Sequence, residues 1–118
     1  MLRTVMADLR GIVRLGARIS DQAWQVSFQV AAGSSWYATY VSVDTWLTDF
    51  RGDLPNIDAP VLVVHGTEDR ILPYASTSKR LPTLLKDVRV VPIEGGPHNV
   101  GWTHPEVLNA EMLAFLNE

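Results

Sequence analysis

The sequence predicts an α/β fold: a helical segment first, then strand–helix–strand–helix of a parallel sheet. Three observations carry that reading. Residues 1–54 hold helical capping and spacing signals, whereas residues 55–118 alternate short apolar runs with helical periods. The run Val61 to Val64 is apolar at every position, as in a parallel strand covered on both faces. Between the two parts lies Gly52-Asp53-Leu54-Pro55-Asn56, a linker with turn chemistry.

Taken in order, Ser20-Asp21 opens a helix through Ala32, with Gly33 placed as its C′ residue. Ser34 or Ser35 caps a second helix to about Phe50, in which Trp36, Tyr40, Val43 and Leu47 fall at helical spacing. Its β-branched and aromatic residues also suit strands. Val61 to His65 is the first strand. Pro73 to about Lys86 is the next helix, with Leu81, Leu84 and Leu85 on its apolar side. Pro82 removes a backbone donor there and should kink it or end its first part. Val88 to Ile93 is the second strand. Thr103-x-x-Glu106 reads as a capping box, and Leu108, Met112, Phe115 and Leu116 then repeat on one helical face.

Composition narrows the function classes. With 118 residues, 47% of them hydrophobic and 19% charged, the chain reads as globular and as one domain at most. A net charge of −3 gives no electrostatic case for nucleic acid or an anionic membrane surface. Zero cysteines leave no disulfide framework and no thiolate chemistry. No apolar run is long enough to span a bilayer, and Met1 to Asp8 lacks the charged head and apolar run of a signal peptide. The expected location is the cytoplasm.

Asp69 and His98 are the candidate catalytic residues. A strand–helix–strand unit has a right-handed crossover and parallel strands, and loops at the carboxyl ends of such strands carry chemistry. Asp69 follows the first strand across a Gly66 turn, and His98 follows the second in Glu94-Gly95-Gly96-Pro97-His98. Topology therefore brings both to one rim of the sheet. They match the last two members of a Ser, Asp, His order, yet no Gly-x-Ser-x-Gly elbow occurs in the sequence.

The residues also carry a family resemblance. His65-Gly66-Thr67-Glu68-Asp69-Arg70-Ile71-Leu72-Pro73, followed by Glu94-Gly95-Gly96-Pro97-His98-Asn99-Val100-Gly101-Trp102-Thr103-His104, resembles the C-terminal part of the cofactor-free haloperoxidases. These are α/β-hydrolases related to arylesterases. Thr45-Trp46-Leu47-Thr48-Asp49-Phe50-Arg51-Gly52-Asp53-Leu54-Pro55-Asn56-Ile57 is similar to the family's link from its helical cap into the core. The likeness covers nearly the whole chain and is weakest before about Ile19. It implies a C-terminal fragment of an α/β-hydrolase fold, with a cap segment over 1–54 and a βαβα core portion over 55–118. It further implies Asp69 as triad acid and His98 as general base, with the Ser and oxyanion donors mapping onto nothing here. In the family, Ser forms an acyl-enzyme that water cleaves, and peroxide as acceptor gives a peracid able to oxidise halide. No metal, haem or flavin takes part.

Plainer roles compete for each residue. Asp69 also fits a turn acid before Pro73, and His98 a surface-loop histidine. His65, His98, His104 and Asp69 match no zinc spacing, so no metal is expected. His65 reads as completing a buried strand, His104 as part of the last helix's first turn, and Glu68 as solvated. Trp36 and Trp102 are the candidates for lining a substrate pocket, ahead of Trp24 and Trp46, although aromatics at helical spacing are more often core.

Three function classes follow. The first is a partial serine hydrolase or perhydrolase, inactive alone and acting on a small ester or acyl substrate once an N-terminal half completes it. The second is a non-catalytic remnant that self-associates or pairs with a partner through the open edge at Val61 to Val64. The third is a free-standing hydrolase using Ser34 or Ser35, which would lack the strained elbow and backbone donors.

Overall fold

The computed structural model describes residues 20–118; residues 1–19, where the predicted first part begins, lie outside the described residues. Helix α1 spans Asp21–Ala32, and the Ser20 side chain accepts the Ala23 N–H at 3.1 Å, as an N-cap should. Trp24 and Phe28 stack one turn apart on it. Gly33 ends α1, but with φ −78° rather than by a left-handed turn. Its N–H bonds the Gln29 carbonyl, so the glycine's conformational freedom is not what stops this helix.

Helix α2 spans Trp36–Leu47, and of the two candidate serines Ser35 is the cap, accepting from Ala38. Ser34 instead donates back to the Val30 carbonyl of α1. No residue of α2 is buried. Trp36, Tyr40, Val43 and Leu47 share helical spacing but stand exposed, with Trp36 80% accessible. The link to the core closes with a short 3₁₀ turn, Leu54–Asn56, opened by Pro55 within it.

Strands β1 (Val61–Gly66) and β2 (Val88–Ile93) pair in parallel, Val61 opposite Val88 through Gly66 opposite Ile93. The crossover between them departs from expectation. Residues 73–86 form two 3₁₀ pieces, Tyr74–Ser76 and Ser78–Thr83, and not one α-helix. Pro82 lies inside the second and has no N–H to give the Ser78 carbonyl, so an α-helical ladder breaks there. The turns close by shorter steps, Arg80 to Thr77 and Leu84 to Leu81.

After β2 come a short helix α3 (Val100–Thr103) and the terminal helix α4 (Pro105–Leu116). The predicted capping box does not form. Pro105 takes the first helical position, His104 precedes it without a side-chain cap, and Thr103 is fully buried. The Thr103 hydroxyl bonds the Asn99 carbonyl and the His104 ring. The apolar face of α4 meets the Leu62 and Val64 side of β1. Leu108, Met112, Phe115 and Leu116 complete the lining of an open groove of about 330 Å³ there. Among the described residues no helix is long and apolar enough to cross a membrane.

Candidate active site

The carboxyl ends of β1 and β2 are held together by their own backbones. Thr67 N–H bonds the Ile93 carbonyl at 3.0 Å, and Glu68 N–H bonds the Gly96 carbonyl at 2.9 Å. In return, Gly95 N–H donates to the Thr67 hydroxyl at 2.9 Å. Two glycines make this approach sterically available. A Cβ on Gly66 would overlap the backbone of Gly96 and Pro97, so its role is close contact and not an unusual dihedral. Gly95, at φ +68°, does need the left-handed region, and it turns the chain so that His98 comes back over the sheet end.

This clasp delivers the predicted pair. His98 Nδ1 lies 2.8 Å from Asp69 Oδ2. Asp69 is only 6% accessible, and its other oxygen, Oδ1, accepts the N–H groups of Ile71 at 2.8 Å and Leu72 at 2.9 Å. A carboxylate is acceptor-only, so Nδ1 of His98 must carry the hydrogen, which makes Nε2 the basic nitrogen of the neutral ring. Burial pushes the Asp69 carboxyl up, but the Leu72 N–H, the His98 ring and the Ile71 N–H together outweigh it and hold it below the ordinary carboxylate value. The acid therefore stays ionised at neutral pH.

His65 is the residue that the sequence reading placed elsewhere. It sits on β1, where it and the strand residues before it are half-buried and not buried as expected, and its ring belongs to the site. Its Nε2 lies 2.9 Å from Asp69 Oδ2 and 2.9 Å from the Leu72 carbonyl, while Nδ1 bonds the Ser78 hydroxyl. The available signal was a polar residue ending an otherwise apolar strand, four positions before an acid across a glycine. Ser78–His65–Asp69 has the residue types of a triad but not its arrangement. The serine is 5% accessible and sits in a 3₁₀ turn, and the ring nitrogens face the opposite way from those of a Ser–His–Asp base.

The other candidates fall outside this cluster. His104 Nδ1 pairs with Thr103 Oγ1, and His65 and His98 both aim N–H groups at one carboxylate oxygen, so the three histidines share no metal-ligand geometry. Glu68 is solvent-accessible through its side chain's position in the turn, and only its backbone joins the clasp. Trp102 stands on α3, one turn after His98, and is 42% accessible; Trp36 is on α2. Ser35 is occupied as a helix cap and Ser34 as a donor to α1, which removes the physical case for either as nucleophile.

A parallel sheet carrying an acid and a histidine at its carboxyl rim, in that chain order, defines the α/β-hydrolase class. Comparison with solved structures agrees. The bromoperoxidase of Bacillus anthracis superposes with a TM-score of 0.80 at 30% identity, covering 86% of this chain and 37% of that one. No family model matches the chain. Curated relatives do. A Synechocystis sp. protein whose name assigns it to the non-haem chloroperoxidases is 52% identical over 104 residues, 88% of this chain and 38% of its own length. The non-haem chloroperoxidase of Streptomyces lividans is 38% identical over 109 residues, 90% of this chain and 39% of its own length. The chain belongs to the non-haem haloperoxidase family of α/β-hydrolases and corresponds to a C-terminal portion of that fold. It spans about two fifths of the length of the curated relatives it matches.

Proposed function

We propose that the chain supplies the acid and the general base of a serine-hydrolase site, with Asp69 as acid and His98 as base. The supporting observation is the 2.8 Å bond from His98 Nδ1 to a buried carboxylate whose second oxygen is already held by two backbone amides. The nucleophilic Ser and the oxyanion donors are proposed to come from sequence beyond these 118 residues, since no Gly-x-Ser-x-Gly occurs among them.

His98 Nε2 takes the Ser proton as Ser attacks an ester carbonyl, and Asp69 stabilises the imidazolium that forms. The imidazolium returns the proton to the departing alkoxide, leaving an acyl-enzyme. Water then yields the acid, or hydrogen peroxide yields a peracid, with Ser regaining its proton through His98 in either case. A peracid oxidises halide to hypohalite and is itself reduced to the carboxylic acid, which is how this site chemistry accounts for the names of the relatives. The substrate class is a small ester or acyl compound. Trp102 and Trp36 are proposed to line the acyl site, and the cytosol is the proposed location, in keeping with a chain without cysteine.

The test fuses the chain behind the unmatched part of the Synechocystis relative and follows hydrolysis of a chromogenic aryl ester. Activity should appear in the fusion and be absent from the chain alone. Asp69→Asn and His98→Gln should each lower kcat by about 10³-fold or more, while Trp102→Ala raises KM. Full activity in His98→Gln, or turnover by the isolated chain, would sink the reading.

A further inference from the structure

We propose that His65 is a positioning residue for the Asp69–His98 pair, locked by Ser78 so that it fixes the carboxylate oxygen that His98 uses. The proposal rests on the reading of Asp69 and His98 as acid and base.

The tautomer of His65 can be assigned from its surroundings. Nε2 faces two acceptors, Asp69 Oδ2 and the Leu72 carbonyl, both at 2.9 Å. Two acceptors cannot bond each other's lone pairs through a bare nitrogen, so Nε2 carries the hydrogen. In the neutral ring Nδ1 is then an acceptor, and the Ser78 hydroxyl donates to it. His98 holds its hydrogen on Nδ1, so the two rings approach Oδ2 as opposite tautomers.

Each element of this ladder is rigid. His65 lies in β1, opposite Pro92 of β2, and its ring meets the Tyr74 ring edge-on at 5.7 Å. Ser78 is buried at the start of its 3₁₀ turn. Asp69 consequently accepts two N–H groups on each oxygen, from Ile71 and Leu72 on Oδ1 and from His65 and His98 on Oδ2. Three of these four donors are independent of His98. The carboxylate therefore keeps its orientation when the His98 loop moves or its ring changes protonation, and the base returns to a fixed acceptor. Sharing Oδ2 weakens each bond to it, so His65 acts through orientation and not by adding charge.

The experiment uses the full chain labelled with ¹⁵N-histidine and reads ring protonation by long-range ¹H–¹⁵N correlation. The expected spectrum has His65 protonated at Nε2 and His98 at Nδ1. In His65→Leu, water exchange of the His98 Nδ1–H should quicken about tenfold, the net worth of one charge-assisted hydrogen bond. His65→Gln, which retains an N–H donor, should recover most of that protection, and Ser78→Ala, which removes the donor to Nδ1 but neither acceptor facing Nε2, should leave His65 protonated at Nε2 and quicken the His98 Nδ1–H exchange only part of the way. An unchanged His98 signal in His65→Leu overturns the proposal. So do equal losses in His65→Leu and His65→Gln, which mark packing alone, or a His65 ring that averages its tautomers in the unsubstituted chain. A His98 without Nδ1–H beside an ordered His65 counts instead against the acid–base reading. Covalent labelling of Ser78 by a fluorophosphonate would overturn positioning in favour of a nucleophile.

Discussion

Gly66 and Gly96 touch backbone to backbone: the Gly66 Cα lies 3.1 Å from where a side chain on Gly96 would begin. That contact joins the loop after β1 to the loop after β2, and so sets the distance between Asp69 and His98. The two glycines are not equivalent. A methyl on Gly66 meets only backbone of Gly96 and Pro97, which yields nothing cheaply. A methyl on Gly96 meets the Ile93 Cγ2 at 2.9 Å and the Ile93 and Gly66 backbones at 3.0 and 3.1 Å, overlaps far shallower than the 2.1 Å at Gly66. Gly66→Ala should therefore cost more than about 2 kcal/mol and Gly96→Ala roughly half as much. Urea unfolding followed by tryptophan fluorescence ranks them, and the reverse order would show that the clasp is not what the contact implies.

The depressed Asp69 carboxyl links the site to acid stability. Burial alone would raise its pKa above the ordinary 3.8, but the Leu72 and Ile71 amides and His98 lower it further than burial raises it. The folded value lies below the unfolded one, so ionisation favours the folded state. That contribution is fully present above pH about 3.8 and is lost as pH falls through the lower folded value. Asp69→Asn has no such titration. The stability gap between the two proteins should be constant at higher pH and close as the medium becomes more acidic than pH about 3.8. A gap that widens with acid would mean that the carboxyl is not held low.

Much of this architecture was legible because its signals are local. An unbroken apolar run before a glycine turn gave β1, helical spacing from Leu108 to Leu116 gave the body of α4, and strand-end topology brought Asp69 to His98. What escaped depends on direction or on one competing atom. Pro82 turned the crossover into 3₁₀ pieces, and Pro105 displaced the start of α4, so that Thr103 lies buried one residue before the helix N-cap. Gly33 needs no left-handed dihedral. His65 was visible as a strand residue, but its bond to Asp69 follows from the turn at Gly66, which no periodicity encodes.

Arg89 ties β2 to the end of α4. Its guanidinium lies 2.6 Å from the Glu118 carboxylate, donates to the Glu111 carbonyl at 3.3 Å and sits over the Phe115 ring at 5.7 Å. The ion pair is largely solvated and worth little by itself, whereas the stem covers apolar surface. The buried Nε has no hydrogen-bond partner among the described residues, which offsets part of the gain. Arg89→Met, which keeps the stem and removes that orphan, should cost less than about 1 kcal/mol, and Arg89→Ala about 1–2 kcal/mol. Thermal melts at low and high salt check the balance: a loss in Arg89→Met that disappears at high salt would assign the effect to charge.

Exposed apolar side chains predict how the isolated chain behaves in solution. Trp36, Tyr37, Tyr40, Trp46, Leu47 and Phe50 all stand more than half accessible on or just after α2, and Leu113 and Leu116 do so on α4. Exposed apolar side chains in such number are covered in a stable soluble protein. The chain alone should therefore sediment as concentration-dependent oligomers, and replacing Trp36, Tyr40 and Leu47 together by polar residues should shift it toward monomer. Those positions lie on a helix with no buried residue, so the replacement should leave the β1–β2 pairing and the Asp69–His98 bond intact. A single monomeric species across the concentration range, in the unsubstituted chain, would mean that this surface is satisfied within one molecule.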